Sequence, residues 1–148
     1  MIMDICSKNI ESKNSQKIKE NRKNIYTSYF AKTNKLLDKG LKNLISIAGK
    51  CPDDFLINHY CTQYKKLAPK YIWWKEWHDN NLSNEWYIEK YNETVLNLLD
   101  PNQIFFDLTK NNTEDAVILC WECPNKFCHR HLIAEWLMKH LKIEITEI

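Results

Sequence analysis

The chain has 148 residues, 44% hydrophobic and 27% charged, with a formal net charge of +2. This is ordinary composition for one globular domain, long enough to bury a core without staples. No apolar run approaches the roughly 20 residues of a bilayer-crossing helix, and so small a net charge is no argument for nucleic acid.

Residues 1–23 are dominated by Lys, Asn, Glu and Ser without a steady period. They read as a flexible polar extension ahead of one α/β domain spanning 24–148. Residues 25–30, rich in β-branched and aromatic side chains, predict the first strand. A helix is expected over 34–43, with Leu36, Leu37 and Leu41 on one face and Gly40 weakening its end. Residues 44–48 form a short apolar run suited to a buried parallel strand. The stretch 53–82 reads as an irregular covering element with short helices, crowded with Tyr60, Tyr64, Tyr71, Trp73, Trp74 and Trp77 and broken by Pro69.

Ser83 predicts a helix N-cap, followed by Trp86, Tyr87, Tyr91, Val95, Leu98 and Leu99 at helical spacing. Asp100 caps the next helix, with Pro101 in its first turn and Gln103 in the capping-box position, so that Ile104, Phe105 and Leu108 face inward. Residues 116–120 are a fully apolar strand. A helix carrying Leu132, Ile133, Trp136, Leu137 and Leu141 follows, and 143–145 alternate as a last strand. Four short strands joined by helices predict a small, mostly parallel sheet with flanking helices, a Rossmann-like layer fold with a helical insertion.

The six cysteines, Cys6, Cys51, Cys61, Cys120, Cys123 and Cys128, lack an apolar export segment before them and read as reduced thiols in a cytoplasm. The two glycines, Gly40 and Gly49, are too few for a glycine-rich phosphate loop, which excludes P-loop and dinucleotide-binding readings.

In such folds ligands bind beyond the carboxyl ends of the strands. The richest chemistry in the chain, Cys-Trp-Glu-Cys-Pro-Asn-Lys-Phe-Cys-His-Arg-His over 120–131, falls there. Cys128 and His129 sit at a helix start, where unpaired N–H groups and the helix dipole favour a thiolate. Arg130 can fork onto a phosphate or carboxylate, and Glu122 can move a proton. Cys128, Glu122 and His129 are therefore the catalytic candidates. Arg130, Lys50 and Ser28 are the ligand-binding candidates, for an anionic small molecule or a nucleotide. No cofactor is expected. A zinc site is the rival reading, from Cys120, Cys123 and Cys128 with His131 or His129. The bland reading makes Cys120 a core thiol, Cys123 a loop residue and His131 a solvated helix residue. A cysteine-phosphatase loop does not fit, since Cys123 precedes Arg130 by one position too many and the loop has no glycine.

At these residues the chain resembles the bacterial domain of unknown function 488 family, in its clostridial-type branch. The resemblance rests on an apolar strand ending Cys120-Trp-Glu122, then Cys128-His129-Arg130 opening a helix. Residues 25–30, 45–48, 64–69 and 98–101 add to it. It implies a compact α/β fold with Glu122, Cys128, His129 and Arg130 at the site, and supplies no reaction. Gly49 stands where many members carry arginine, which leaves Lys50 as the nearest cation. Cys123 stands where relatives usually have another residue, which weakens a shared zinc site.

Three functions compete. The first is a small enzyme or ligand-binding domain for a phosphate-bearing molecule, nucleotide or base, with residues 71–77 as a lid. The second is a nucleic-acid module in which Lys65, Lys66, Lys70 and Lys75 interleave with Tyr64, Tyr71, Trp73 and Trp74. The third is an interaction domain, zinc-stabilised or homodimeric.

Overall fold

A computed structural model describes residues 23–110 and 114–148. The polar extension expected over 1–23 lies, Lys23 apart, outside the described residues. Five strands build one sheet: β1 Ile25–Tyr29, β2 Leu44–Ser46, β3 Cys61–Gln63, β4 Ala116–Cys120 and β5 Ile145–Glu147. Their order is β3-β2-β4-β1-β5, with every neighbouring pair parallel. Five α-helices flank it: α1 Thr33–Asp38, α2 Tyr71–Asp79, α3 Asn84–Thr94, α4 Pro101–Thr109 and α5 His129–Leu141. Among the described residues no helix is long and apolar enough to cross a membrane.

Position in the sheet follows from composition. β4, Ala-Val-Ile-Leu-Cys, is buried at every residue and takes the centre, where both faces are covered. β5 alternates polar and apolar residues, is only half-buried, and takes an edge. The other edge, β3, falls inside the stretch expected to be irregular. Only Cys61 of its three residues is buried, so neither hydrophobic run nor clean alternation marked it. It forms because Leu44 to Ser46 offer a partner in register with Cys61 to Gln63. The first helix is shorter than expected, since Gly40 adopts φ +85° and turns the chain two residues after Asp38.

The caps divide. Ser83 Oγ accepts from the Trp86 N–H at 3.1 Å, and Asp100 Oδ1 accepts from the Asn102 N–H at 2.9 Å, with Pro101 as the first helical residue. The capping box does not close. Gln103 reaches forward one turn instead, its Nε2 donating to Asp107 Oδ1 at 2.8 Å. Ile104 and Leu108 are buried as expected, and Phe105 is half-buried.

Strand order also decides where a ligand can sit. The chain leaves β2 toward β3 at one edge and leaves β4 past β1 toward β5 at the other. The two outgoing loops of these neighbouring strands part, and such a parting opens a crevice at their carboxyl ends. The helix caps give a direct test. Asp100→Ala should cost about 1 kcal/mol in urea unfolding, the ordinary value of an N-cap. Gln103→Ala should cost no more than about 0.5 kcal/mol, the value of an i,i+4 surface pair; equal losses would mean that the capping box does form.

Candidate functional site

The parting of β2 and β4 holds a cavity of about 620 Å³. Its floor is the buried trio Cys120, Cys128 and His129, its wall is Trp74, Trp77, Tyr87 and Phe127, and its mouth is Tyr71, Trp121, Lys50 and Glu122. The wall is an interlocked aromatic cluster. Tyr87 meets Trp77 at 4.9 Å and Phe127 at 5.0 Å between ring centroids, both edge to face, and Trp74 stacks on His78 at 5.3 Å. Burial raises the pKa of Tyr87, which stays a neutral phenol. At the mouth, Trp121 Nε1 donates to the Lys50 carbonyl at 2.7 Å, tying the loop after β4 to the loop after β2.

The floor follows from the ends of two elements. Cys120 is the last residue of β4. Cys128 is the N-cap of α5, with extended backbone (φ −154°, ψ 140°), and His129 is the first helical residue. One nitrogen, Nε2, lies 2.9 Å from the Ile47 carbonyl just past β2. A carbonyl only accepts, so Nε2 carries the hydrogen and Nδ1 faces the thiols, 3.7 Å from Cys120 Sγ. The ring edge also meets the ring of Tyr91 at 5.5 Å. Tyr91 is itself fixed, its hydroxyl donating to the Leu67 carbonyl at 2.6 Å.

This arrangement separates the two thiols. The adjoining Cys128 and burial push the Cys120 pKa up, favouring the neutral thiol. Cys128 is pushed down, first by its neighbour Cys120. The hydrogen bond and charge of His129 and the backbone N–H of Arg130 add to this, against the opposing cost of burial. Cys128, at the helix N-terminus, is thus the more acidic thiol of the pair.

The remaining candidates are placed differently. Glu122 and Lys50 are exposed at the mouth. Ser28 is fully buried in β1, away from the cavity, and donates to the Ile148 carbonyl at 2.7 Å. Arg130 is fully buried and absent from the cavity lining. Its Nη2 meets Glu147 Oε1 at 2.8 Å and its Nη1 donates to the Glu122 carbonyl at 2.6 Å. Of the zinc set, the structure gathers Cys120 and Cys128 but leaves Cys123 exposed in the loop, while His131 sits half-exposed 3.6 Å from Glu147. Of the two histidines weighed, His129 is the one at the thiols: Cys120, Cys128 and His129 offer three donor atoms within 4.8 Å of one another. This Cys/His group is able to hold a metal ion.

Sequence reasoning missed Tyr87 as cavity wall and Glu147 as the partner of Arg130. Tyr87 carried helical periodicity and read as core, and nothing local to β5 marks its acid as the counter-ion of a residue 17 positions earlier.

Residues 31–141 match the family model described as the active DUF488-N3 subclade. The chain belongs to the DUF488 family. The matched span runs from just past β1 to the last residue of α5, so it contains the whole cavity. No curated protein matches the chain, and no solved structure does. In this DUF488 protein the four residues quoted for the resemblance split into two roles by position: Cys128, His129 and Glu122 line the cavity, and Arg130 lies behind it.

Burial by itself raises the Glu147 carboxyl, yet the hydrogen bonds from Arg130 and Thr27 and the charge of Arg130 leave it below its ordinary value. A depressed carboxylate pKa contributes stability that is present above the unfolded value near 4.3 and is lost as pH falls through the folded value. Glu147→Gln should therefore lower stability at pH 7 by about 2 kcal/mol, because Arg130 keeps a buried charge without its counter-charge. It should also flatten the acid limb of the pH–stability curve below about pH 5. Denaturation midpoints from pH 3 to 7 check both; a parallel acid limb would show that another carboxylate controls it.

Proposed function

We propose that this DUF488 protein is a small enzyme for a phosphate-bearing heteroaromatic molecule, a nucleotide or its base, with Cys128 as a thiolate nucleophile. The observation that carries the proposal is a thiol at a helix N-terminus, facing the floor of an aromatic cavity and flanked by an S–H donor and an imidazole. A cavity of about 620 Å³ has the size of an ordinary small-molecule site. Trp74 and Trp77 offer ring faces on which a planar ligand stacks. Lys50 is the lysine at the mouth and would meet an anionic group, while Arg130 acts as a positioning residue for the Cys128 helix start. The five free thiols among the described residues suit a reducing compartment such as the cytoplasm.

The chemistry follows nucleophilic catalysis. The Cys128 sulphur forms a bond to an electrophilic ligand carbon as that carbon's bond to its leaving group breaks, and the leaving group departs with the electron pair. Water, giving a proton to the Glu122 carboxylate, then displaces the sulphur and restores the thiolate. Glu122 is placed for this at the mouth, where water enters. The nucleic-acid platform finds less support. Tyr64 donates to Asp107, Trp73 is buried in the core, and Lys66 and Lys75 pair with Asp107 and Asp79.

A second reading is favoured by one observation, the donation from His129 Nε2 to the Ile47 carbonyl. This is how a metal-binding histidine is usually anchored by its other nitrogen. Cys120, Cys128 and His129 would then hold zinc with a fourth position open to the cavity, supplying a Lewis acid.

Alkylation and metal content separate the two. Iodoacetamide should label Cys128 at nearly constant rate from pH 8 down to about pH 5.5, whereas free cysteine in the same buffer slows about tenfold per pH unit. A steep fall for Cys128 would remove the thiolate proposal. Protein purified without chelator should contain no stoichiometric zinc; one zinc per chain, with Cys128 unreactive until it is stripped, would establish the second reading instead.

A further inference from the structure

The floor of the cavity holds two thiols where nucleophilic catalysis uses one. Cys120 and Cys128 present their sulphurs within a group whose donor atoms all lie within 4.8 Å, and both line the same cavity. Disulfide formation asks for Cβ atoms about 3.5–4.5 Å apart and sulphurs that can turn toward each other. Cys120 is held by its β-ladder register opposite Tyr29. Cys128 is not held in that way, because it lies outside both strand and helix, on extended backbone, at the end of a loop whose residues 121–126 are exposed. The movable thiol can therefore close on the fixed one with little disturbance to the sheet.

The other thiols are placed differently. Cys51 and Cys61 are buried outside the cavity, and Cys51 accepts a bond from Gln63 Nε2 at 3.2 Å. Cys123 is exposed on the loop and lies outside the cavity lining. A small neutral oxidant entering the cavity would meet Cys128 with Cys120 beside it.

We infer that Cys128 and Cys120 are an oxidation site: Cys128 is the peroxide-reactive thiol, Cys120 resolves it, and the resulting disulfide reversibly removes the nucleophile from the cavity. The oxidant class is a hydroperoxide. The Cys128 thiolate attacks the terminal peroxide oxygen, the O–O bond breaks, and the alkoxide (hydroxide from hydrogen peroxide) leaves, giving a sulfenic acid. The Cys120 sulphur then attacks the Cys128 sulphur and passes its thiol proton to the departing oxygen. The S–S bond forms, the S–O bond breaks, and water leaves. The two sulphurs together lose two electrons, and the peroxide gains them. This extends the nucleophile reading by assigning a role to the second thiol.

The test uses the full chain. Cleavage after Lys110, Lys126 and Arg130 places Cys128 on the peptide 127–130, and Cys120 with Cys123 on the peptide 111–126. In Cys123→Ser protein, equimolar hydrogen peroxide should join these two peptides with the loss of two hydrogens. Iodoacetamide labelling of Cys128 should fall to background and return after dithiothreitol. Cys120→Ser should instead carry Cys128 on to the sulfinic acid with no recovery. The inference is overturned if Cys128 of Cys123→Ser protein becomes sulfinic acid while Cys120 stays free. It is equally overturned if the joined peptides form only where Cys123 is present. Labelling of untreated protein keeps the two ideas apart, since Cys128 that labels at low pH yet forms no disulfide retains the nucleophile reading and loses this one.

Discussion

The buried guanidinium of Arg130 is the constraint on which the rest of the structure depends. A charge with no solvent exposure is tolerable only if its donors are satisfied. Arg130 meets this by spanning two parts of the chain, the carboxylate of Glu147 in the edge strand β5 and the carbonyl of Glu122 in the loop after the central strand β4. The first contact fixes the last strand against the sheet. The second bends the loop 121–127 into one path, so that Cys128 arrives at the start of α5 beside Cys120. Glu147 in turn takes the hydroxyl of Thr27 in β1, which closes the network across two strands, one loop and one helix. No buried side-chain nitrogen or oxygen among the described residues is left without a partner, as a fold built around an internal charge requires.

What the network positions is electrostatic as much as geometric. Two thiols at ordinary pKa values would both be neutral in an apolar pocket, since burial penalises each thiolate. Here each thiol acts on the other, and the helix terminus and the imidazole act on Cys128. The split is thus relative: the same pairing that pushes Cys120 up pushes Cys128 down. The His129 ring supports the arrangement because the Ile47 carbonyl holds its orientation, and that carbonyl belongs to the chain just leaving β2. The site therefore draws on both strands that flank the crevice, and neither loop could form it alone.

The sequence carried the central layer well because burial on both faces leaves a signature: β4 is apolar throughout and β1 is hydrophobic or β-branched at all but Ser28. The edge strand β3 left no such mark, with one buried residue in three, and its existence depends on pairing with β2, which only three-dimensional structure supplies. The segment 120–131 stood out by its residue types, and Cys128 at a helix start was legible from the pattern that follows it. Which histidine turns toward the thiols was not. His129 and His131 are two residues apart on a helix, so about 200° separates their directions, and only the helix's docking on the sheet decides that the first is buried. Arg130 read as an anion clamp because free arginines often are. Its counter-ion, Glu147, lies past the strand expected over 143–145, in the β5 that forms over Ile145–Glu147.

The same comparison explains why the aromatic stretch yielded two roles where one was expected. Trp73 points to the core, with its Nε1 donating to Thr94 at 3.0 Å, whereas Trp74 and Trp77 face the cavity. On α2 the residues at 73 and 74 lie about 100° apart and those at 74 and 77 about 60° apart, so one face packs on α3 and the neighbouring face covers the thiols. Tyr71 extends that second face to the mouth, stacked with Trp74 at 6.2 Å. The helix is thus both part of the hydrophobic core and the roof of the site, and its placement over the Cys128 helix start depends on the wall contact between Trp77, Tyr87 and Phe127. Phe127 precedes Cys128 directly. A change in the loop that moves the Cys128 thiol therefore also moves the wall beside it, so the thiol and the aromatic wall of the cavity are one mechanical unit.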